Sequence, residues 1–109
     1  MASKRTLANR EYIAKYKARN QEIVNNYKMN TGCEDTRCQW EGEFTPQMLH
    51  LDHIDRSTKI SDLSTACNRG WSVKKLMEEV AKCRVLCANC HHRKTYEDKE
   101  HYEQTIQRH

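Results

Sequence analysis

Proline and glycine are scarce, with one Pro and three Gly in 109 residues, too few for a low-complexity linker. Apolar and aromatic side chains are also in short supply, at 37% and 7% with a single Phe and two Trp, and mean hydropathy is -1.04. That leaves room for one small domain and predicts that something besides apolar burial helps to hold it. No stretch approaches the run of apolar residues that a membrane-spanning helix needs. The basic residues of the opening MASKRTLANREY are not followed by an apolar segment, so no secretory leader is expected. The expected compartment is a reducing cytosol.

What the chain does have is six Cys, six His and 31% charged residues with a formal net charge of +4. Residues 1–30 carry Lys4, Arg5, Arg10, Lys15, Lys17, Arg19 and Lys28 against Glu11 and Glu22, a balance of +5, and the remainder carries 12 basic and 13 acidic residues, a balance of -1. All of the excess positive charge therefore sits at the N-terminal end. This layout is common where a basic helix meets nucleic acid, and it is equally that of a solvated helix face.

Over residues 9–30, Tyr12, Ile13, Tyr16, Ile23, Val24 and Tyr27 fall on one stripe of a 3.6-residue period, with Lys15, Arg19 and Lys28 mostly off it. The pattern predicts one amphipathic helix that packs by its stripe, turns its basic face outward and ends near Gly32. Residues 32–50 read as a knuckle followed by irregular chain. Met48–Ile54 reads as a short strand, and residues 55–70 as a long polar loop. Ser72 is an expected N-cap for a helix over 73–82 whose stripe is Val73, Leu76, Met77 and Val80, with Trp71 stapled onto Leu76. A strand at Arg84–Leu86, a second knuckle Cys87-Ala88-Asn89-Cys90 and a helix from His91 toward Gln107 complete the chain. The division expected is a basic N-terminal helix (1–31) on a compact unit (32–109) in a single α+β domain.

Cys33-x4-Cys38 and Cys87-x2-Cys90 are two short-spaced thiol pairs. Two such knuckles brought together supply the four soft ligands of a structural zinc, and in a reducing compartment that reading is favoured over a disulfide or a redox CxxC. Cys83 reads as a small buried hydrophobe, and Cys67 carries no reading. In His50-Leu51-Asp52-His53-Ile54-Asp55, Asp52 and His53 point apart unless the strand ends or bulges between them. A carboxylate suits a hard divalent cation, and a nearby neutral imidazole can take a proton from water. A second cluster, His91-His92-Arg93-Lys94, follows Cys90 directly.

The run LDHID, followed by VLCANCHHRKT, resembles the HNH nucleases, in particular the small zinc-containing kind of bacteria and their phages. The resemblance spans about residues 32–96. It implies a ββα-metal core and a metal-dependent endonuclease that hydrolyses DNA phosphodiester bonds to leave 5′ phosphates. By position, His53 matches the general base. Asp52 and His91 match the ligands of a catalytic divalent metal (Mg2+, Mn2+, Ni2+ or Zn2+), and Cys33, Cys38, Cys87 and Cys90 match the zinc ligands. Two departures stand out. Lys82 occupies the place of an Asn that braces the base-bearing loop in many members, and Asp55-Arg56-Ser57-Thr58-Lys59 replaces a Pro and Gly-Gly. The 73–82 helix and the longer loop are the expected substitutes. His92 and His50 read as surface and spectator residues respectively. Lys4, Arg5, Arg10, Lys15, Arg19, Arg93 and Lys94 are the expected contacts to double-stranded DNA, and no membrane partner is expected. A homodimer, or a complex with other phage or bacterial proteins, stays open. The alternative is a zinc-stabilised DNA-binding module without catalysis. A redox or metal-storage role for the thiols is a third reading.

Overall fold

Between residues 4 and 31 no proline or glycine interrupts the chain, and a single helix, α1 (Lys4–Thr31), runs the whole distance. Gly32 ends it at φ +70, where its amide still donates to the Lys28 carbonyl (2.8 Å). The structure, a computed structural model, describes the backbone of residues 4–107 and the side chains of residues 10–99. Strand β1 (Leu49–His53) follows a 3-10 turn at Pro46–Met48 and pairs antiparallel with β2 (Cys83–Cys87), Leu51 opposite Val85 and Asp52 opposite Arg84. Between the strands lie α2 (Leu63–Asn68) and α3 (Val73–Val80), and α4 (Ala88–Gln107) leaves directly from β2. The fold is a small α+β arrangement of four helices and a two-stranded sheet among the described residues. None of those helices is long and apolar enough to cross a membrane.

Apolar burial falls into two clusters. Val24 of α1, Leu63, Ala66 and Cys67 of α2, Leu76 and Val80 of α3 and Cys83 form one. Leu49, Val85, Leu86, Cys87 and Cys90 form the other, with Cys33, Cys38 and Phe44 packed on it. Leu51 and Tyr27 touch both. Four of the ten residues that make up the second cluster and its margin are cysteines, so its integrity depends on what binds those thiols.

Several expectations need correction. Residues 55–70 are not a loop: a 3-10 turn at Arg56–Thr58 and the helix α2 lie within them, and Leu63, Ala66 and Cys67 bury at i, i+3 and i+4. Six residues are too short for a period to stand out in a polar run. Cys67 is thereby a core residue. On α1 the inward face is Asn20 and Val24, flanked by Ile23 and Tyr27, whereas Tyr12 and Ile13 are exposed. Arg19, expected on the outward basic face, turns inward. Its guanidinium donates to the Trp71 carbonyl (2.9 Å) and to Asn20 Oδ1 (3.0 Å), and lies 4.3 Å from the Tyr16 ring centre. On α3, Ser72 caps as expected, its hydroxyl accepting from the Lys75 amide (3.3 Å), but Val73 is exposed and Glu79 takes an interior place instead. α4 begins at Ala88, so Cys90 sits within its first turn.

Candidate metal centre and adjoining cleft

The first knuckle is built by the chain that leaves Gly32. The Glu34 amide donates to the Val85 carbonyl (2.8 Å) and the Val85 amide donates back to Glu34 Oε1 (3.0 Å), which pins Cys33 beside β2. The Asp35 carboxylate accepts from the Arg37 amide (2.8 Å), and the Asp35 carbonyl accepts from the Cys38 amide (3.0 Å), closing a tight turn that swings Cys38 back. Cys87 ends β2 and Cys90 lies one helical turn on. The four sulfur atoms all lie within 4.8 Å of one another, and Cys38 Sγ is 3.9 Å from Cys87 Sγ. Four zinc-sulfur bonds in a tetrahedron place sulfurs about 3.8 Å apart. The thiol cluster fits a tetrahedral zinc in both ligand type and separation, and it is the one such group among the described residues.

Two donors reach the sulfurs. The Cys87 amide donates to Cys33 Sγ (3.3 Å), and an Arg93 guanidinium nitrogen lies 3.8 Å from Cys90 Sγ. That same nitrogen donates to Asp35 Oδ2 (3.1 Å). The Arg37 amide, opposed by burial and aided by the Arg93 and Arg37 side chains, holds the Asp35 carboxyl down at about 2. Burial raises the Cys90 thiol, and the crowding of the three other sulfurs raises it further, as expected where four thiols await a cation. Arg93, expected as a phosphate contact, is thus engaged in bracing the two knuckles.

The second group of residues lies where β1 meets α4. His50 and Asp52 share one face of β1 and look toward α4, while Leu49, Leu51 and His53 occupy the other. His91 faces this pair: its Nε2 is 3.5 Å from Asp52 Oδ1, and its Nδ1 shares a 2.8 Å hydrogen bond with His50 Nδ1. Lys94, one turn further along α4, pairs with Asp52 Oδ2. His92 is exposed. His50, expected as a spectator, is therefore the direct partner of His91. Burial lowers its basicity, and the neighbouring His91 and Lys28 lower it further.

His53 turns the other way, toward α3, where its Nε2 lies 2.8 Å from Glu79 Oε2. Because β1 ends at His53, however, Asp52, His53 and His91 all line one open cleft of about 270 Å³, together with Leu51, Arg56, Lys59 and Asp62. Arg56 and Lys59 come from the segment that was read as loop.

Glu79 is the residue that sequence reasoning missed. It is 1% exposed, and its Oε2 accepts from the Ile60 amide (3.0 Å) as well as facing His53, while Oε1 accepts from Lys82 Nζ (2.8 Å). Burial alone would push its carboxyl up, but Lys82, the Ile60 amide, His53 and the Ser61 amide together hold it down at about 2. Lys82 also donates to the Thr58 carbonyl (2.8 Å), and its own carbonyl accepts from the Ile54 amide (3.0 Å). The signal was present in the sequence. Leu76, Glu79, Val80 and Cys83 follow the i, i+3, i+4, i+7 spacing, with one acid in an otherwise apolar stripe.

On α1, Arg10 and Lys15 are exposed. Lys4 and Arg5 lie outside the residues whose side chains are described. Searches of family models, curated proteins and solved structures each return no match to this chain. The meaning of the cleft and the thiol cluster rests on their own geometry.

Proposed function

We propose that the protein is a metal-dependent endonuclease of the HNH kind, with a ββα core formed by β1, β2 and the start of α4 and a zinc ion on Cys33, Cys38, Cys87 and Cys90. The observation that carries the reading is the convergence of Asp52, His53 and His91 on a single cleft flanked by Arg56 and Lys59. An imidazole, a carboxylate and cationic side chains lining one open cleft match the needs of phosphodiester hydrolysis, which are a proton acceptor for water and positive charge near the phosphate.

His53 acts as the general base. Asp52 and His91 are the residues that would hold the catalytic divalent cation, and their facing atoms, 3.5 Å apart, suit two ligands of one ion. Such an ion, when bound, supplies Lewis-acid stabilisation of charge on the phosphate and on the departing 3′ oxygen. Arg56 and Lys59 bind phosphate oxygens at the cleft wall, and the exposed Arg10 and Lys15 of α1 extend the cationic surface for duplex DNA without reading bases.

The test is incubation of the zinc-loaded protein with supercoiled plasmid under EDTA and then with Mg2+, Mn2+, Ni2+ or added Zn2+, beside His53→Ala. Conversion to open-circular or linear DNA that requires both metal and His53 is the expected result. Tight, salt-sensitive DNA binding with no cleavage under any metal overturns it in favour of a zinc-stabilised binding module.

A further inference from the structure

Resting on that reading, we infer that Glu79 is the positioning residue for His53, fixing the imidazole in its Nε2–H tautomer so that Nδ1 is the nitrogen presented to the cleft. A carboxylate only accepts hydrogen bonds, so the His53 nitrogen 2.8 Å from Glu79 Oε2 is the one that carries the proton. The remaining ring nitrogen has no protein partner among the described residues. Nor is it one of the buried atoms left unsatisfied, so it is open to solvent although the residue as a whole is 7% exposed. An imidazole held this way has one free lone pair, aimed where water can reach it.

The brace is itself braced. Oε2 also accepts from the amides of Ile60 (3.0 Å) and Ser61 (3.5 Å), and Oε1 from Lys82 Nζ (2.8 Å). Lys82 in turn ties down the Thr58 carbonyl. A single buried carboxylate therefore holds both the base and the segment that carries Arg56 and Lys59 into the cleft. Packing on α3 fixes the carboxylate in turn, with Leu76 and Val80 buried on either side of it in sequence. Structural packing alone would not call for an ionisable group here, since burying a carboxylate is costly unless several donors meet it.

Nitrogen-15 NMR of the zinc-loaded protein, correlating the ring nitrogens of His53 with its ring carbon-bound protons at rising pH until the ring shifts stop changing, reads the tautomer directly. The native chain is expected to show a protonated Nε2 and an unprotonated Nδ1. Glu79→Ala combined with Lys82→Met, which leaves no unpaired ammonium, is expected to show mixed tautomers and a kcat for plasmid cleavage about 100-fold lower with KM little changed. Glu79→Gln with Lys82→Met, which keeps an acceptor oxygen, is expected to restore the Nε2–H form and most of kcat. An Nδ1–H tautomer in the native chain overturns the inference, as does an unchanged tautomer in a folded Glu79→Ala, Lys82→Met variant. The tautomer needs no cleavage to be read, so a native chain that cleaves nothing with any metal counts against the nuclease reading and leaves the test of Glu79 intact.

Discussion

Cys38 Sγ lies 3.9 Å from Cys87 Sγ across 49 positions of sequence. Closing so long a loop costs entropy that the small apolar cluster around Leu49, Val85 and Leu86 is poorly placed to offset. A cation on the four sulfurs offsets it directly, because a metal that binds only the folded arrangement contributes its binding free energy to folding.

Removing zinc is therefore expected to unfold the knuckle region. A strong chelator should lower the thermal midpoint by roughly 20 °C or more, the equivalent of several kcal/mol in a domain of this size. Hydrogen exchange should show lost protection first at the Glu34 and Cys87 amides, which bond to Val85 and to Cys33 Sγ. An apo protein with an unchanged midpoint and unchanged protection at those two amides would overturn the assignment of the cluster as a structural metal site.

Acid should destabilise the protein through Glu79. Its carboxyl ordinarily titrates near 4.5 and is held down at about 2 in the fold. A depressed carboxylate contributes stability that is fully present above its unfolded value and is lost as pH falls toward its folded value. The expected loss lies between about pH 4.5 and pH 2 and reaches on the order of 3 kcal/mol. Glu79→Gln with Lys82→Met should flatten that limb in urea titrations taken at successive pH values. An equally steep limb in the double variant would place the acid sensitivity elsewhere.

Asn20 joins α1 to the turn before α3. It is fully buried, and its Nδ2 donates to the Trp71 carbonyl (2.9 Å), the same acceptor that Arg19 uses. Nearby, Gly70 holds φ +70, and a β-carbon added to it would lie 3.5 Å from the Ile13 backbone, so the turn fits closely against the helix. Asn20→Ala is expected to cost about 1 to 3 kcal/mol, through the lost bond and the space left behind. The exposed neighbour Gln21→Ala should stay within about 0.5 kcal/mol. Equal thermal midpoints for the two variants would show that α1 docks without this bond.

The elements that could be read from the sequence are those with a long period or a distinctive end. The termination of α1 at Gly32, the capping of α3 by Ser72, both strands and the gathering of four cysteines all follow from local chemistry: a left-handed turn, a hydroxyl at an N-cap, alternation, and thiol spacing. What escaped reading depends on partners distant in sequence. Arg19 looks like a surface cation until the Trp71 carbonyl is brought to it, and α2 shows only three buried residues in six. His50 gains its meaning from His91, 41 positions away. Glu79 left only a faint signal, one acid on the Leu76, Val80 and Cys83 stripe, because a Glu among Lys and Glu on a short helix looks like surface until its four donors are in view.

Lys94 is expected to restrain divalent cation binding under the proposed function. Its ammonium pairs with Asp52 Oδ2, on the same carboxylate that faces His91, and a cation arriving at Asp52 must share that charge. Lys94→Met removes the competing charge, and the affinity for Mn2+, read by calorimetry on the zinc-loaded chain, should rise roughly tenfold, about 1.4 kcal/mol. A weaker or unchanged affinity would mean that Lys94 does not compete for Asp52. It would point instead to a role for the lysine in orienting the carboxylate.

Under the proposed function, DNA binding should be nonspecific and should track the exposed charges of α1. Arg10 and Lys15 project from the helix without ion-pair partners among the described residues, whereas Arg19 is committed to Trp71. Each phosphate contact that releases a counterion contributes about 0.9 to the slope of log affinity against log salt. The double variant Arg10→Ala, Lys15→Ala is expected to reduce that slope by about 2 and to weaken binding alike on unrelated duplexes. Arg19→Ala should act differently, lowering the thermal midpoint because the Trp71 carbonyl loses a donor. Fluorescence anisotropy across a salt series, run beside thermal melts, separates the two effects. An unchanged slope in the double variant would place the DNA contacts on the cleft residues Arg56 and Lys59 and leave α1 as a structural helix whose outward charges are simply solvated.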